Sequence, residues 1–311
     1  MFAFVFPGQG SQSVGMLNDL ADLPVVQDTI AEASDALGLD LLNMMKNGPI
    51  EDLNLTIHTQ PVMLTASVAF YRAWLSVGGA VPTMMAGHSL GEYSALTAAG
   101  VFSLSDAVKL VRTRAEAMQT SVPVGVGGMA AILGLDDDTV KFVCETAQTE
   151  VAGEVVQAVN FNSPGQVVIA GHKEAVEKAC ELAKAAGAKR ALLLPVSAPF
   201  HSSLLKPAAD VLQNALANVT MNAPSVPVVN NVDVMVEHDV ARIKDALVRQ
   251  AWHPVRWVEC VQAMANKNIS DVVECGPGKV LAGLAKRIDS RVAGHALVDQ
   301  ASLSAIREAL S

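Results

Sequence analysis

The chain has 311 residues, enough for one large domain or two and for a sizeable core. It is 51% hydrophobic and 17% charged, which excludes broad disorder, and its net charge of -9 excludes the basic face a nucleic-acid binder needs. No apolar run approaches the roughly 20 residues that span a bilayer, no charged leader precedes the short apolar opening, and the four cysteines lack C-x-x-C spacing. These features predict a cytoplasmic enzyme with reduced, buried thiols, no membrane partner and no metal site.

Phe2-Ala3-Phe4-Val5-Phe6 predicts a first buried strand, followed by the loop Pro7-Gly8-Gln9-Gly10-Ser11-Gln12. Helical stretches follow near 24–37 and 59–77. A second strand, Thr83-Met84-Met85-Ala86, runs into Gly87-His88-Ser89-Leu90-Gly91 and a helix that Gly100 closes. Ser105 and Asp106 start another helix, with Leu104, Val108, Val111, Ala115 and Met118 recurring at helical spacing on one face. The glycine-rich run 123–128 reads as a joint. Beyond it the pattern predicts strand 129–135, helix 137–147, strand 155–161, a turn at 162–165, strand 167–170, helix 173–186 and strand 191–196. That order, βαββαβ, is a ferredoxin-like unit. It places a small domain at 123–196 inside a larger α/β domain built from 1–122 and 197–311. The larger domain resumes with strand 226–230, helices 240–250 and 255–265, strand 272–274, and the turn Gly276-Pro277-Gly278 before a final helix.

The run around Ser89 fits G-x-S-x-G in the strand–turn–helix setting that a nucleophile elbow requires. Glycines let strand and helix close around a turn that pushes the serine Oγ outward. The helix N-terminus behind Ser89 aims backbone N–H groups where an oxyanion would form. A serine nucleophile needs a base, and the chain has seven histidines. His201 stands ahead by its place in the loop after strand 191–196, where the chain re-enters the large domain. His88, beside the serine, should point away from its Oγ. Arg114 lies at the margin of an apolar helix face. It is either a snorkelling arginine or a cleft cation that grips a carboxylate through its planar fork. The Gly8-x-Gly10 loop lacks the third glycine of a dinucleotide fingerprint, since Ser13 stands there. Its backbone N–H groups could still line an oxyanion hole. No convincing third acid accompanies Ser89 and His201.

Four stretches carry a resemblance: Phe6-Pro7-Gly8-Gln9-Gly10-Ser11-Gln12, Gly87-His88-Ser89-Leu90-Gly91-Glu92, Val159-Asn160-Phe161-Asn162-Ser163-Pro164-Gly165-Gln166, and the segment 195–207 around His201. With the ending Glu274-Cys275-Gly276-Pro277-Gly278-Lys279-Val280, they resemble the malonyl-CoA:acyl-carrier-protein transacylases of bacterial fatty-acid synthesis over almost the whole chain. The resemblance implies an α/β-hydrolase-like large domain with a ferredoxin-like insertion. It makes Ser89 the nucleophile, His201 the base, Arg114 the clamp on the malonyl carboxylate, and the amides of Gln9 and Leu90 the oxyanion hole. It has a main-chain carbonyl orient the base in place of an aspartate, at Gln250. Met118 and Phe200 join the substrate-binding residues. Many members carry a small polar residue where Phe200 stands, and in related polyketide acyltransferase domains a Phe there accompanies malonyl over methylmalonyl choice. The implied enzyme is a monomer without cofactor, acting on malonyl-CoA and acyl carrier protein. A thioesterase or esterase of the same elbow type, and an inactive docking protein, are the competing readings.

Overall fold

The computed structural model describes residues 1–196 and 198–310; Ser197 and Ser311, the ends of the expected segment 197–311, lie outside the described residues. Among the described residues, nine strands follow in chain order: β1 (Phe2–Phe6), β2 (Met84–Gly87), β3 (Gly127–Leu133), β4 (Val156–Ser163), β5 (Gln166–His172), β6 (Arg190–Leu193), β7 (Val228–Val229), β8 (Asp271–Cys275) and β9 (Ala293–Leu297). They form two sheets. The first has the order β7-β2-β1-β8-β9, and all its pairings are parallel. β1 lies second from neither edge and is buried throughout, as its unbroken apolar run requires with both faces covered. One face carries Phe4, Phe6 and Met85 against the helix Thr56–Ser76 and its neighbours. The other carries Ala3, Val5 and Ala86 against Trp257, Cys260 and Leu284. Helix Thr56–Ser76 is buried along most of its length, its polar Thr59, Gln60, Thr65 and Ser67 included, and runs through the middle of the core.

The second sheet is antiparallel, with the order β4-β5-β3-β6. Helices Asp137–Glu150 and Lys173–Ala185 cover one face, meeting Ala130, Ile132, Val167 and Ile169. The alternate residues Met129, Val168 and Ala170 face the other way, where Phe200 packs on them. This is the expected βαββαβ arrangement. β4 also ties this sheet to the segment before the helix Trp257–Ala265: Val255 N–H donates to Val159 O at 2.8 Å and Phe161 N–H donates to Val255 O at 3.0 Å.

That tie explains one departure from expectation. The helix expected at 255–265 begins at Trp257, because both polar groups of Val255 are engaged by β4. Strand 191–196 stops at Leu193, and strand 226–230 pairs only over Val228–Val229. The helix after Gly278, Val280–Ile288, is not the last element: β9 and helix Gln300–Ala309 follow, the latter opened by a capping box between Asp299 and Ser302. Helix Lys206–Ala217 was also unanticipated, although Ala208, Ala209, Leu212 and Leu216 follow helical spacing. All four cysteines are buried and free, as expected. No helix among the described residues is long and apolar enough to cross a membrane.

Candidate active site

The elbow forms where β2 stops at Gly87 and the helix Leu90–Ala98 starts. Ser89 sits between them at φ 53° and ψ -110°, a conformation that costs a residue with a side chain about 1–3 kcal/mol. The flanking glycines make the turn possible. A Cβ on Gly87 would lie 1.9 Å from the backbone of Gly91, and one on Gly91 would lie 2.0 Å from Phe6 O. Leu90 is the first residue of its helix, so its N–H has no intrahelical acceptor. The loop after β1 runs hard against the elbow: a Cβ on Gly8 would come within 2.6 Å of His88 O. Gln9 is thereby brought to the same cavity as Leu90.

Ser89 Oγ lies 2.7 Å from His201 Nε2, and His201 Nδ1 lies 2.8 Å from Gln250 O. A carbonyl only accepts, so Nδ1 carries the proton and Nε2 is left to accept from the serine. His201 is therefore oriented by a main-chain carbonyl rather than by an acid. His201 is buried, and burial, reinforced by the Arg114 cation, pushes its pKa down to about 3. The imidazole is therefore neutral, with Nε2 unprotonated and facing Ser89 Oγ. His88 is turned elsewhere: its Nε2 lies 2.8 Å from Asn162 Oδ1, and its ring packs 5.7 Å from that of Trp257.

Arg114 is 1% exposed, which rules out the snorkelling alternative. Nη1 donates to Gln60 Oε1 at 2.9 Å, and Nη2 donates to Ser89 Oγ at 3.1 Å and to Gln250 Oε1 at 3.0 Å. Its guanidinium carbon stands 5.2 Å from the centre of the Tyr93 ring. Its Nε is buried without a partner. Among the described residues no carboxylate forms an ion pair with it; Glu92 attracts it only from farther off.

Behind these groups lies a polar layer that sequence reasoning missed. Glu92 is buried, and its Oε2 accepts from Gln250 Nε2 and from Asn231 N–H, each at 2.9 Å. Burial raises the Glu92 pKa to about 7 against the pull of those donors and of Arg114. Gln250 Nε2 also donates to Ser89 O at 2.9 Å. Asn231 Oδ1 accepts from Ser89 N–H at 2.8 Å, and its Nδ2 donates to Gly87 O at 2.7 Å. Glu92 was hidden because an acid in the first turn of a helix ordinarily serves the helix dipole in solvent. The signal for Asn231 was the polar pair Asn230-Asn231 directly after an apolar strand.

A cavity of about 450 Å³ opens over Ser89. Gln9, Leu90, Arg114, Met118, Phe200 and His201 all line it. Of the residues expected at the site, only Gln250 lies behind the wall, fully buried. The arrangement can pass a proton from Ser89 Oγ to His201 and hold an anion on Arg114 beside the reacting oxygen. No group of three or more His, Cys, Asp or Glu suited to a metal occurs among the described residues.

The sequence model of the acyl transferase domain matches residues 3–302. The malonyl CoA-acyl carrier protein transacylase of Salmonella typhimurium is 58% identical over 305 residues, covering 98% of each chain. That of Bacillus subtilis is 44% identical over 298 residues, 96% of this chain and 93% of its own. The crystal structure of an acyl-carrier-protein S-malonyltransferase from Burkholderia pseudomallei superposes with a TM-score of 0.96 at 64% identity, over 99% of each chain. A malonyl-transacylase solved in complex with its type II PKS acyl-carrier protein gives 0.97 at 52% identity, again over 99% of each. In sequence along nearly its whole length, and in fold, the chain belongs to the acyl transferase domain family, among its malonyl-CoA–acyl carrier protein transacylases.

Proposed function

We propose that this enzyme moves the malonyl group of malonyl-CoA to the phosphopantetheine thiol of acyl carrier protein through an ester on Ser89. Arg114 carries the reading. A buried guanidinium without an ion-pair partner, on a cavity wall 3.1 Å from a serine Oγ, is a site for an anion held next to the point of attack. In malonyl-CoA the carboxylate lies one methylene from the thioester carbonyl, so a short acyl group reaches both. The 58% identical relative named for this transfer, and the transacylase solved with its carrier, support the choice of donor and acceptor.

The steps follow from the geometry. His201 takes the Ser89 proton as Oγ attacks the thioester carbonyl. The oxyanion is received by the amides of Gln9 and Leu90, which stand at the same cavity. Collapse expels the coenzyme A thiolate, and the proton on His201 goes to it. The carrier's thiol then enters, loses its proton to His201 and attacks the ester; Oγ leaves and regains that proton. Met118 and Phe200 form apolar walls that keep the acyl pocket narrow. Phe200 thereby favours malonyl over a branched homologue. No step calls for a cofactor, and every group comes from one chain. We place the enzyme as a monomer in the cytoplasm, supplying fatty-acid synthesis.

The test is incubation with malonyl-CoA, with and without holo acyl carrier protein, following free coenzyme A and acylated carrier. The expected result is one equivalent of coenzyme A without carrier and continuous turnover with it. Steady release of coenzyme A into water alone would instead identify a thioesterase.

A further inference from the structure

The strained turn at Ser89 needs something to hold it. Glycines 87 and 91 permit the conformation but supply no force that maintains it. Three backbone groups surround the serine: Gly87 O on one side of the turn, then Ser89 N–H and Ser89 O. Asn231 engages the first two with a single amide group, donating to Gly87 O at 2.7 Å and accepting from Ser89 N–H at 2.8 Å. Because the donor and acceptor share one rigid plane, they fix the spacing across the His88 peptide. Gln250 holds the third, Ser89 O, at 2.9 Å.

The segment that bears Asn231 is fastened on its other side to the base. Asn231 N–H donates to Glu92 Oε2, which also accepts from Gln250 Nε2. Asp233, two residues on, pairs with both Nη atoms of Arg249 at 2.9 and 2.7 Å. Arg249 immediately precedes Gln250, whose carbonyl orients His201. Asn231 is 0% exposed and is not part of the cavity wall, so neither water nor substrate replaces its contacts.

We infer that Asn231 is a positioning residue for acyl transfer: it clamps the elbow turn, aims Ser89 Oγ at the thioester, and ties that aim to the segment that orients His201. The inference rests on the reading of Ser89 as nucleophile. An asparagine is required because the position needs one donor and one acceptor. An aspartate keeps the acceptor for Ser89 N–H, sets an oxygen against Gly87 O, and brings a second carboxylate beside Glu92.

The experiment separates aim from binding in the full-length protein. Malonyl-CoA affinity is measured by calorimetry in Ser89→Ala and in Ser89→Ala with Asn231→Ala. The rate of malonyl-enzyme formation is measured by rapid quench in wild type, Asn231→Ala and Asn231→Asp. The expected result is unchanged affinity and acylation slowed about 10²-fold in Asn231→Ala, the loss that a misplaced reacting group brings. Asn231→Asp, which keeps the acceptor but sets an oxygen against Gly87 O and a carboxylate beside Glu92, is also slowed at least about tenfold with affinity unchanged. If Asn231→Ala does not fold, the near-isosteric Asn231→Asp decides by the same comparison. Acylation at the wild-type rate in these variants overturns the inference alone, as does an equal loss of affinity and rate, which would make Asn231 a packing residue of the pocket. A wild-type enzyme with no malonyl on Ser89 overturns the nucleophile reading and this inference with it.

Discussion

A buried guanidinium without a carboxylate beside it costs a folded chain free energy, and Arg114 is held by neutral acceptors only, Gln60, Gln250 and the serine itself. Under the proposed function, a substrate carboxylate offsets that cost on binding. Charged hydrogen bonds of this kind contribute about 1.5–3 kcal/mol each, and a tenfold change corresponds to about 1.4 kcal/mol. Arg114→Ala should therefore slow malonyl transfer by at least about tenfold, while acetyl transfer, with no carboxylate to lose, holds steady or rises. Arg114→Lys restores malonyl transfer only in part, because a point charge cannot reproduce the fork. The ratio of malonyl to acetyl rates in the three proteins decides; an unchanged ratio in Arg114→Ala contradicts the clamp.

His201 gives a second prediction at the same scale. Burial and the neighbouring cation depress its pKa to about 3, so the free enzyme holds a neutral base across the ordinary histidine range. The kcat/KM for malonyl-CoA, which reports the free enzyme, should show no acid limb near pH 6.5 that belongs to His201. Removing the cation in Arg114→Ala should move that limb upward in a pH profile taken with acetyl-CoA. Stability follows the same shift. Between pH 6.5 and about 3 the unfolded chain binds a proton at His201 that the folded chain does not, so the folded state loses stability as the pH falls through that window. His201→Gln lacks this group and should lose thermal stability less steeply on acidification.

At the scale of elements, the elbow is a steric device made by the close approach of β1, β2 and the helix Leu90–Ala98. Gly91→Ala pushes a Cβ to 2.0 Å from Phe6 O, and backbone cannot yield as a flexible side chain does. The expected loss is about 1–3 kcal/mol or more, read as a lower thermal or urea midpoint. Gly283→Ala is the contrast: nothing lies within 4 Å of the added Cβ, in the interior of helix Val280–Ile288, so alanine should be neutral or stabilising there. Equal effects at the two positions would contradict the steric account.

The same elements explain what could be read in advance. The strand–turn–helix at Ser89 was legible because its glycines answer a local steric demand. The βαββαβ unit was legible because each of its strands and helices carries its own period. β9 was not, since an edge strand with one buried residue in five has no buried pattern to follow. Val255 read as helix because its pairing with β4 is made nearly 100 residues away in sequence. Asn231 and Glu92 escaped for a similar reason. Their partners come from three separate segments, and the neighbouring sequence, which offers only the polar pair after an apolar strand at Asn231, does not say which partners a buried polar residue finds.

Across the whole molecule, the site forms where the loop after β1, the elbow after β2 and the loop around His201 meet beside the antiparallel sheet. Phe200 packs on both sides of that junction, against Met118 and Leu205 of the larger unit and Met129 and Val168 of the smaller. Such a cleft can exclude water while an acyl-enzyme waits for its carrier, which is what separates a transferase from a hydrolase. The net charge of -9 offers no general attraction for an anionic substrate, so selection falls to the local cation. The most direct measurement is the intact mass of the enzyme after brief exposure to malonyl-CoA without carrier, followed by peptide mapping. The account predicts one added malonyl group, on Ser89, that disappears when holo acyl carrier protein is supplied and never forms in Ser89→Ala. An unmodified enzyme that still transfers malonyl, or a label on any other residue, would contradict it.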